Sequence, residues 1–504
     1  MVQQMRMNRM KKRSKFDLSH YKQFTCNQGE LVPIAVQEVL PGDSFQMSTS
    51  ALVRLSPLVA PVMHPVHASI QHFFVPYRLV MDDFESFITG GETGADSTTF
   101  PTINITPSAG SLADYMGLPL GTAIDVNALP FRAYALIYNE FYRDQDLQTA
   151  LTIDTTDGAD TTTNTTLKRA NWVKDRFTSS RDSAQKGSEV SLPLGTTAPV
   201  VSLSTSPVFS DGSTDLSPAV VSGSTQLNVN TNATNSQNIF FKAGSDTYSG
   251  LRTDLTSATA ASINDLREAF ALQSFAEHRM MFGGRYSEYL KFLGINYSDG
   301  RLDRPEYLGG GRETIQFSEV LQTGLDSTDA GLGTMGGHGI GAIKSNRFRK
   351  FFEEHGLIVS LMTVRPKPMY HQGVHKMWNK TTKEDFFQYE LEGIGQEEIL
   401  NKEVYVAHTS PTGTFGYQNR YDEYRYAVNT VAGDFRPGQA LEEWTMCRDF
   451  SSDPALNDSF VTCTPTNRIY ASTATDELLI MAYNNVKARR MMRKIGSPIG
   501  LLGA

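Results

Sequence analysis

Residues 31–55 read LVPIAVQEVLPGDSFQMSTSALVRL, and this stretch decides the fold class. Its first ten residues are mostly β-branched or apolar, a Pro-Gly-Asp turn follows, and the last eleven residues form a second strand-like run. We therefore predict two strands joined at a tight corner. Another strand is predicted at residues 70–75 (IQHFFV), before Pro76, which cannot donate a hydrogen bond to a β-ladder.

Strand-like runs return late in the chain, at residues 357–364 (LIVSLMTV), 403–407 (EVYVA) and 477–483 (ELLIMAY). Strands near both ends with long excursions between them are typical of Greek-key and jelly-roll sandwiches. Two helices are predicted, one after Pro130 and one after Ser262, each with an aromatic stripe that we expect to pack in the core. The sequence thus favours a mainly β protein with long loops.

The charge is distributed unevenly. Residues 1–15 hold six basic residues and residues 484–504 hold five, with no acidic residue in either segment. Removing these eleven from the 46 basic residues leaves 35 against 54 acidic ones in the body. An acidic body with basic ends is the pattern expected when the ends meet a polyanion.

Neither a membrane protein nor a secreted disulfide-bonded protein is indicated. No run of about 18 apolar residues occurs, and the basic N-terminus lacks the apolar stretch of a signal peptide. The three cysteines include no C-x-x-C pair and cannot form a closed disulfide framework. Assembly in a reducing cytoplasm is the expectation.

Searches for catalytic and ligand motifs give only weak matches. Residues 331–341 contain a G-x-G-x-x-G pattern, but further glycines follow it, so we predict a flexible loop. The next basic residues, at positions 344–350, predict a solvated or subunit-contact face in preference to a nucleic-acid site. Two histidine pairs, at positions 64/67 and 371/375, are interrupted by Pro or Gly, and no third metal ligand suggests itself. We expect no cofactor, no metal and no enzymatic activity.

A series of short stretches resembles the major capsid protein of the Microviridae, in particular its gokushovirus-like branch. In chain order they are residues 16–20 (FDLSH), 40–43 (LPGD), 73–80 (FFVPYRLV), 129–134 (LPFRAY), 185–187 (QKG), 192–195 (LPLG), 304–310 (RPEYLGG), 354–356 (EHG), 415–418 (FGYQ) and 423–426 (EYRY). Each is weak alone, but their order is specific. Residues 196 to 260 match nothing in the family and fall where its members carry a variable insertion.

The resemblance implies an eight-stranded antiparallel jelly-roll β-sandwich with long loop insertions and a few short helices. It implies the subunit of a T=1 icosahedral bacteriophage capsid around a circular single-stranded DNA genome, assembled in the bacterial cytoplasm. Implied partners are further copies of the chain, the DNA, an internal scaffolding protein, a small basic DNA-binding protein, a minor pilot protein and a host surface receptor. The insertion is expected to form a protrusion at the three-fold axes, with a role in host attachment.

The domain organisation predicted on this basis has five parts. They are a basic N-terminal arm (1–15), the first part of the jelly-roll core (16–195), a variable polar surface insertion (196–260), the remainder of the core (261–483) and a basic C-terminal tail (484–504).

Two sets of residues are predicted to be functional. DNA contact is assigned to the eleven terminal basic residues, which neutralise phosphates without reading sequence: Arg6, Arg9, Lys11, Lys12, Arg13, Lys15, Lys487, Arg489, Arg490, Arg493 and Lys494. The subunit interface is assigned to a Tyr/Arg cluster of the kind enriched at contact hot spots: Tyr417, Arg420, Tyr421, Tyr424, Arg425 and Tyr426.

Alternatives remain for each assignment. The basic ends could bind the acidic face of a neighbouring protein, and the tyrosines could pack in the core. A β-sandwich glycan-binding module would use the Thr-rich insertion as its receptor site, although only three tryptophans exist to line a sugar site. A jelly-roll enzyme would need a convergent set of His and carboxylate metal ligands, which the sequence lacks.

Overall fold

A computed structural model describes residues 13–91, 97–187, 200–202, 208–210, 215–216, 240–242, 251–253, 263–282, 302–321, 323 and 335–492. Within these residues the strands are β1 Ser14–Asp17, β2 His20–Cys26, β3 Val32–Val39, β4 Ser44–Leu55, β5 Val66–Pro76, β6 Thr102–Ile105, β7 Ile124–Asn127, β8 Ala159–Asp160, β9 Val200–Ser202, β10 Val208–Ser210, β11 Asp215–Leu216, β12 Phe240–Lys242, β13 Leu251–Thr253, β14 Glu306–Leu321, β15 Met335–Lys344, β16 Phe348–Phe351, β17 Gly356–Pro366, β18 Gln396–Leu400, β19 Thr414–Asn419 and β20 Leu478–Arg490.

Helices are fewer and mostly short. The α-helices are α1 Phe84–Thr89, α2 Leu112–Tyr115, α3 Leu129–Ile137, α4 Ile263–Phe282, α5 Asn401–Val404 and α6 Asp458–Val461, and a π-helical segment, Tyr138–Tyr142, follows α3. Turns of 3-10 helix lie at Tyr77–Leu79, Lys376–Asn379, Lys383–Asp385, Tyr389–Leu391, Asp422–Tyr424, Gly433–Phe435 and Glu442–Trp444. The mainly β prediction is confirmed.

One antiparallel, strongly curled sheet organises the fold, with the strand order β1-β20-β4-β15-β14-β5-β17-β3. Strands β1 and β2 pair with the same edge of β20, β1 with residues 487–490 and β2 with residues 478–484. Strand β16 also pairs with β4. Strand β14 is shared between two neighbours, since residues 306–315 pair with β5 and residues 316–321 pair with β15. The small sheets β7-β6-β8 and β18-β19 lie in the excursions between these strands.

Alternating side chains on β4 and β20 build the main core. Every second residue of β4, from Phe45 to Leu55, is buried, and so is every second residue of β20 from Leu478 to Ala488. These side chains pack against inward residues of β3, β5 and β17 such as Ile70. Because side chains alternate between the two faces of a strand, the other face of β4 and β20 is left without this cover.

A second core lies on the other side of β17 and explains why that strand is buried on both faces. Helix α3 and its neighbours pack Leu129 and Tyr134 against Phe73 of β5 and Val359 of β17. Pro130 at the start of α3 has the position expected for a proline in a first helical turn. The first predicted aromatic helix therefore packs in the core, as its spacing indicated. The same prediction for the second helix, α4, is wrong, because its Phe270 and Phe275 are 66% and 47% exposed.

A chain of buried polar side chains crosses the main core. The ring of His72 on β5 lies between two hydroxyls, with Nδ1 2.7 Å from Ser360 Oγ and Nε2 2.9 Å from Ser345 Oγ. Ser345 Oγ accepts the backbone N–H of Thr49, and the Thr49 hydroxyl donates to Asn484 Oδ1 at 2.7 Å. These five residues, which we call the polar core chain, tie β17, β5, β4 and β20 together at one register.

Two sequence predictions about local structure are wrong. The glycine run forms part of strand β15 instead of a flexible loop, apart from residues 331–334, which are outside the described residues. Glycine is needed there because a Cβ on Gly337 would lie 2.4 Å from the backbone oxygen of Ala60. Residues 401–404 form helix α5 where a strand was predicted at 403–407, since Glu403 turns back to accept the backbone N–H of Leu400.

The basic C-terminal segment does not begin as a free tail. Residues 484–490 continue β20, and within them Asn484, Val486 and Ala488 point into the core while Lys487 and Arg489 point outward. The alternation of apolar and basic residues places this segment in a half-buried strand. Residues 493–504 lie outside the described residues.

The chain divides into two compact units, one comprising Met1–Ala184 and Leu293–Ala504, the other Gln185–Phe292. In the described parts of the second unit, β9 pairs with β13, β10 pairs with β11 and β12, and α4 begins at Ile263. These short strands fall within the stretch where the sequence predicts a variable insertion.

We expect the stability of the protein to fall as the pH drops from about 6.5 to about 4. Burial lowers the pKa of His64 and His72 from 6.5 to about 4. The unfolded chain therefore takes up protons below pH 6.5 that the folded chain accepts only near pH 4, which costs on the order of 3 kcal/mol per histidine. Urea unfolding measured between pH 7 and pH 4 checks this.

The variant His72→Gln should flatten that profile, because it removes one of the two groups, whereas replacing the exposed His375 with Gln should leave the profile unchanged. A wild-type profile in the His72→Gln variant would contradict the assignment.

Candidate functional site

Residues between β17 and β20 form a large excursion with its own small core. Ile399, Phe415 and Phe460 pack together there with Phe177, which comes from the segment between β8 and β9. The guanidinium of Arg448 lies 4.0 Å above the Phe460 ring. This core holds the excursion in a defined shape. A rigid loop region of this kind can present side chains to a partner at a low entropic cost.

A buried ion pair fixes the base of the excursion. Arg176 Nη2 lies 2.7 Å from Glu403 Oε2, and the two side chains are 2% and 1% exposed. Arg176 also donates from Nε to Gln418 Oε1 at 2.8 Å. The pair joins the segment before β9, helix α5 and strand β19, three parts of the chain that are distant in sequence.

The six predicted interface residues are split by the structure. Tyr421 is 2% exposed, with a left-handed backbone (φ 66°), and its hydroxyl accepts the Gln388 N–H. Tyr417 and Arg420 are partly buried, and Tyr417 bridges to the backbone of Arg181. Tyr421 is thus a core residue, which was the alternative considered for the tyrosines.

Three members of the predicted set do face solvent. Tyr424 and Tyr426 are more than half exposed, and Arg425 forms ion pairs with Asp422 and Glu392, each at 2.8 Å. These residues are held on the short turn that begins after Tyr421.

Four further exposed aromatic side chains lie on the neighbouring segment and were missed by the sequence analysis. Trp378 is 74% exposed and Tyr389 79%, and Phe386 and Phe387 are exposed by half or more. The Phe387 ring contacts the Tyr421 ring with centroids 5.3 Å apart, which brings this segment against the Tyr424 turn. We call the set the aromatic patch: Trp378, Phe386, Phe387, Tyr389, Tyr424 and Tyr426. Its sequence signal was the run of aromatics at 378–389.

Lys380 contacts Tyr424 of the aromatic patch and its neighbour Glu423. Lys380 Nζ lies 2.7 Å from Glu423 Oε1 and donates to the Tyr424 hydroxyl at 2.7 Å, and it also lies over the Tyr424 ring. Burial opposes the charge on Lys380, but the contacts with Glu423 and Tyr424 outweigh it and raise its pKa. The lysine therefore stays charged and holds Tyr424 outward.

Of the eleven basic residues predicted to contact DNA, the structure describes Arg13, Lys15, Lys487, Arg489 and Arg490. Strands β1 and β20 pair so that Lys15 lies opposite Arg489 and Asp17 opposite Lys487. Arg490 faces the other way and forms an ion pair with Asp43 at 3.0 Å. Arg6, Arg9, Lys11, Lys12, Arg493 and Lys494 lie outside the described residues.

The histidine pairs have ordinary structural partners. His64 Nε2 lies 2.7 Å from the backbone oxygen of Lys367, and His371 Nε2 lies 3.2 Å from Asp449 Oδ1. In the part of the chain that the structure describes, no group of three or more His, Cys, Asp or Glu residues could hold a metal ion. Among the same residues, no helix combines the length and apolar character needed to cross a bilayer.

Comparison with known proteins identifies the family. The sequence model of the family described as "Capsid protein (F protein)" matches residues 4–500. The chain belongs to this capsid protein family. All residues from Arg6, the first basic residue of the N-terminal segment, to the end of β20 are within the match.

Curated relatives of this capsid protein are similar over nearly their whole length. Capsid protein VP1 of Bdellovibrio phage phiMH2K is 36% identical over 482 residues, which cover 92% of this chain and 90% of the relative. Capsid protein VP1 of Chlamydia phage 1 is 30% identical, with 95% and 94% covered. Capsid protein VP1 of Spiroplasma virus 4 is 30% identical, with 96% and 95% covered.

The resemblance to the Microviridae is therefore confirmed, and this capsid protein is a structural component of the virion and not an enzyme. Membership in a capsid family also implies self-assembly into a shell. The functional sites of such a protein are therefore surfaces that contact other molecules, and not a catalytic cleft.

We expect Glu403→Gln to lower the free energy of unfolding of the capsid protein by about 3–5 kcal/mol, because Arg176 would be left as an uncompensated buried charge. The matched control is Glu384→Gln, which breaks the exposed pair with Lys383 and should cost less than about 1 kcal/mol. Chemical unfolding of the unassembled chain measures both. Equal effects from the two variants would contradict the importance of the buried pair.

Proposed function

We propose that this protein is the repeating subunit of a T=1 icosahedral capsid that encloses a circular single-stranded DNA genome. The observation that carries the self-assembly in this proposal is the aromatic patch, six aromatic side chains at least half exposed on one excursion. Such a surface is costly to leave in water and is typical of a contact between proteins. The T=1 geometry and the circular genome are proposed from the family.

The strand order supports a jelly roll. The eight principal strands fall into two antiparallel halves, β2-β20-β4-β15 and β14-β5-β17-β3, with the main core between them. In each half, strands from early and late parts of the chain alternate, which is the arrangement of an eight-stranded jelly roll made of two Greek keys. This fold is common among viral capsid subunits.

We assign the aromatic patch and Arg425 to the contact between neighbouring subunits. Interfaces of permanent assemblies commonly bury about 2,000 Å² or more, and Trp, Tyr and Arg dominate their binding energy. Contacts of Phe387 with the buried Tyr421 and of Tyr424 with Lys380 hold these aromatic side chains in place before docking. Little side-chain entropy is then lost when two subunits meet.

The remaining proposals follow from the family. The stretch 196–260 is proposed to form a protrusion at the three-fold axes that takes part in host attachment, since its Ser, Thr and Asn content suits an exposed segment. The terminal basic residues, apart from Arg490, which is paired with Asp43, are proposed to contact the genome. An internal scaffolding protein, a small basic DNA-binding protein, a minor pilot protein and a host receptor are proposed as partners.

We expect the double variant Trp378→Ala, Tyr389→Ala to reduce shell assembly by tenfold or more, because hot-spot aromatics each contribute about 2 kcal/mol or more to an interface. Sedimentation of expressed particles measures the assembled fraction. The thermal unfolding of the unassembled chain should stay unchanged, since both side chains are exposed. Met63→Ala, which trims an exposed apolar side chain elsewhere, is the control. Wild-type assembly in the double variant would remove the patch from the interface.

Replacing residues 196–260 with a short Gly-Ser linker should leave assembled particles that lack density at the three-fold axes. Electron microscopy of the particles measures this, and binding to host cells measures the attachment role. Failure to assemble would make the segment part of the shell itself, and unchanged three-fold density would place the segment elsewhere.

A further inference from the structure

A second exposed surface is the outward face of the sheet. It is formed by strands β1, β2, β20, β4 and β16 and includes none of the residues of the aromatic patch. The inward side chains of β4 and β20 are buried in the core, so their neighbours in sequence point outward. Strand register sorts these outward side chains into rows across the sheet. The composition of the rows changes along the strands from basic to aromatic and apolar.

Two adjacent rows are basic. In the first, Lys15 lies opposite Arg489. In the second, Lys487 lies opposite Gln46, and Gln46 lies opposite Arg349. All four cationic residues are exposed, and they line a single surface cavity of about 480 Å³. Three strands that are remote in sequence thus deliver four positive charges to one concave site.

The charge of this cavity is poorly neutralised by the protein. Its one carboxylate, Asp17, lies opposite Lys487, and hydrogen bonds from the hydroxyl and backbone N–H of Ser19 together with the charge of Lys487 lower its pKa. Asp17 therefore stays ionised and offsets one of the four positive charges. Among the described residues, no acidic side chain forms an ion pair with Lys15, Arg349 or Arg489. Four cations with a single carboxylate leave the cavity positively charged on a chain that is acidic as a whole, which indicates a site for an external anion.

An aromatic pair lies farther along the same face. Tyr21 on β2 is directly opposite Tyr483 on β20, with ring centroids 4.6 Å apart, and Tyr21 is 69% exposed. Tyr483 and Lys487 point to the same side of β20, four residues or about 13 Å apart. A flat aromatic surface at this distance from a basic cavity combines the two elements of sequence-independent binding of single-stranded nucleic acids.

We propose that this face binds single-stranded DNA, with backbone phosphates in the cavity of Lys15, Arg349, Lys487 and Arg489 and bases stacked on Tyr21 and Tyr483. The proposal rests on the proposed function, a shell around a single-stranded DNA genome, and gives the genome a defined contact surface. It adds Arg349, Tyr21 and Tyr483 to the residues predicted from the sequence. Arg490, which faces Asp43 on the opposite side, is excluded.

The test measures binding of a 20-nucleotide oligo(dT) to the purified full chain over a range of salt concentrations. In the triple variant Arg349→Gln, Lys487→Gln, Arg489→Gln, the slope of log affinity against log salt should become shallower by about 2, because each lost phosphate contact removes about 0.7. Affinity should fall at least tenfold. Tyr21→Ala should weaken binding by about tenfold with an unchanged slope, since stacking displaces no counterions.

A matched control variant distinguishes the effect of the cavity's charge on DNA binding from the effect of the chain's total charge. The triple variant Arg312→Gln, Lys383→Gln, Arg436→Gln removes the same charge from exposed positions elsewhere and should leave both slope and affinity near the wild-type values. Equal losses in the two triple variants would overturn the proposal. If the first triple variant does not fold, as judged by thermal unfolding, the double variant Lys15→Gln, Arg349→Gln applies the same test with a slope change of about 1.4.

Two further outcomes are informative. Poly-glutamate that competes with oligo(dT) at equal charge concentration would assign the cavity to an acidic protein segment and overturn the DNA assignment. Particle assembly, followed by sedimentation in parallel, tests the shell function independently. Shells that form normally in the variants with unchanged DNA binding refute only this inference, whereas a wild-type chain that forms no shells refutes the proposed function.

Discussion

Pairing between β4 and β20 is the constraint on which the rest of this capsid protein depends. Twelve consecutive residue pairs, from Leu478 opposite Leu55 to Arg489 opposite Ser44, set one register for both strands. A shift by one residue would turn every buried side chain of a strand to the outside. The polar core chain adds to this restriction, because Thr49 and Asn484 satisfy each other only in the observed register. One alternation therefore determines both the hydrophobic core and the charged outer rows.

Those strands whose residue pattern is evident within a short stretch of sequence can be predicted from the sequence. The strands around residues 31–55, 70–75, 357–364 and 477–483 were predicted because apolar and β-branched residues cluster there. Strand β15 was missed, since its glycines are explained by the approach of the Ala60 backbone and not by any neighbour in sequence. Helix α5 was missed for a similar reason, because Glu403 serves a turn and a buried arginine at the same time.

The sequence predicts some of the residues of the functional surfaces, but not which of them lie together. Basic residues near both termini are visible in composition, but register alone reveals that Lys15, Arg489, Lys487 and Arg349 share a face while Arg490 does not. Likewise, the tyrosine-rich segment 417–426 contains both a core residue, Tyr421, and exposed ones. The exposure of a tyrosine depends on what folds over it, and that is decided by residues 384–388. Composition identifies candidate side chains, and topology selects among them.

The large separation in sequence between β4 and β20 has a consequence for folding during synthesis. Thr49 and Asn484 are 435 residues apart. A ribosome adds about 5–20 residues per second, so β4 waits many seconds for its neighbour, with an unpaired edge that can recruit other strands. The edge of β4 that later pairs with β20 is therefore open to mispairing throughout this interval. The register of the main core can be completed only after Asn484 has been translated.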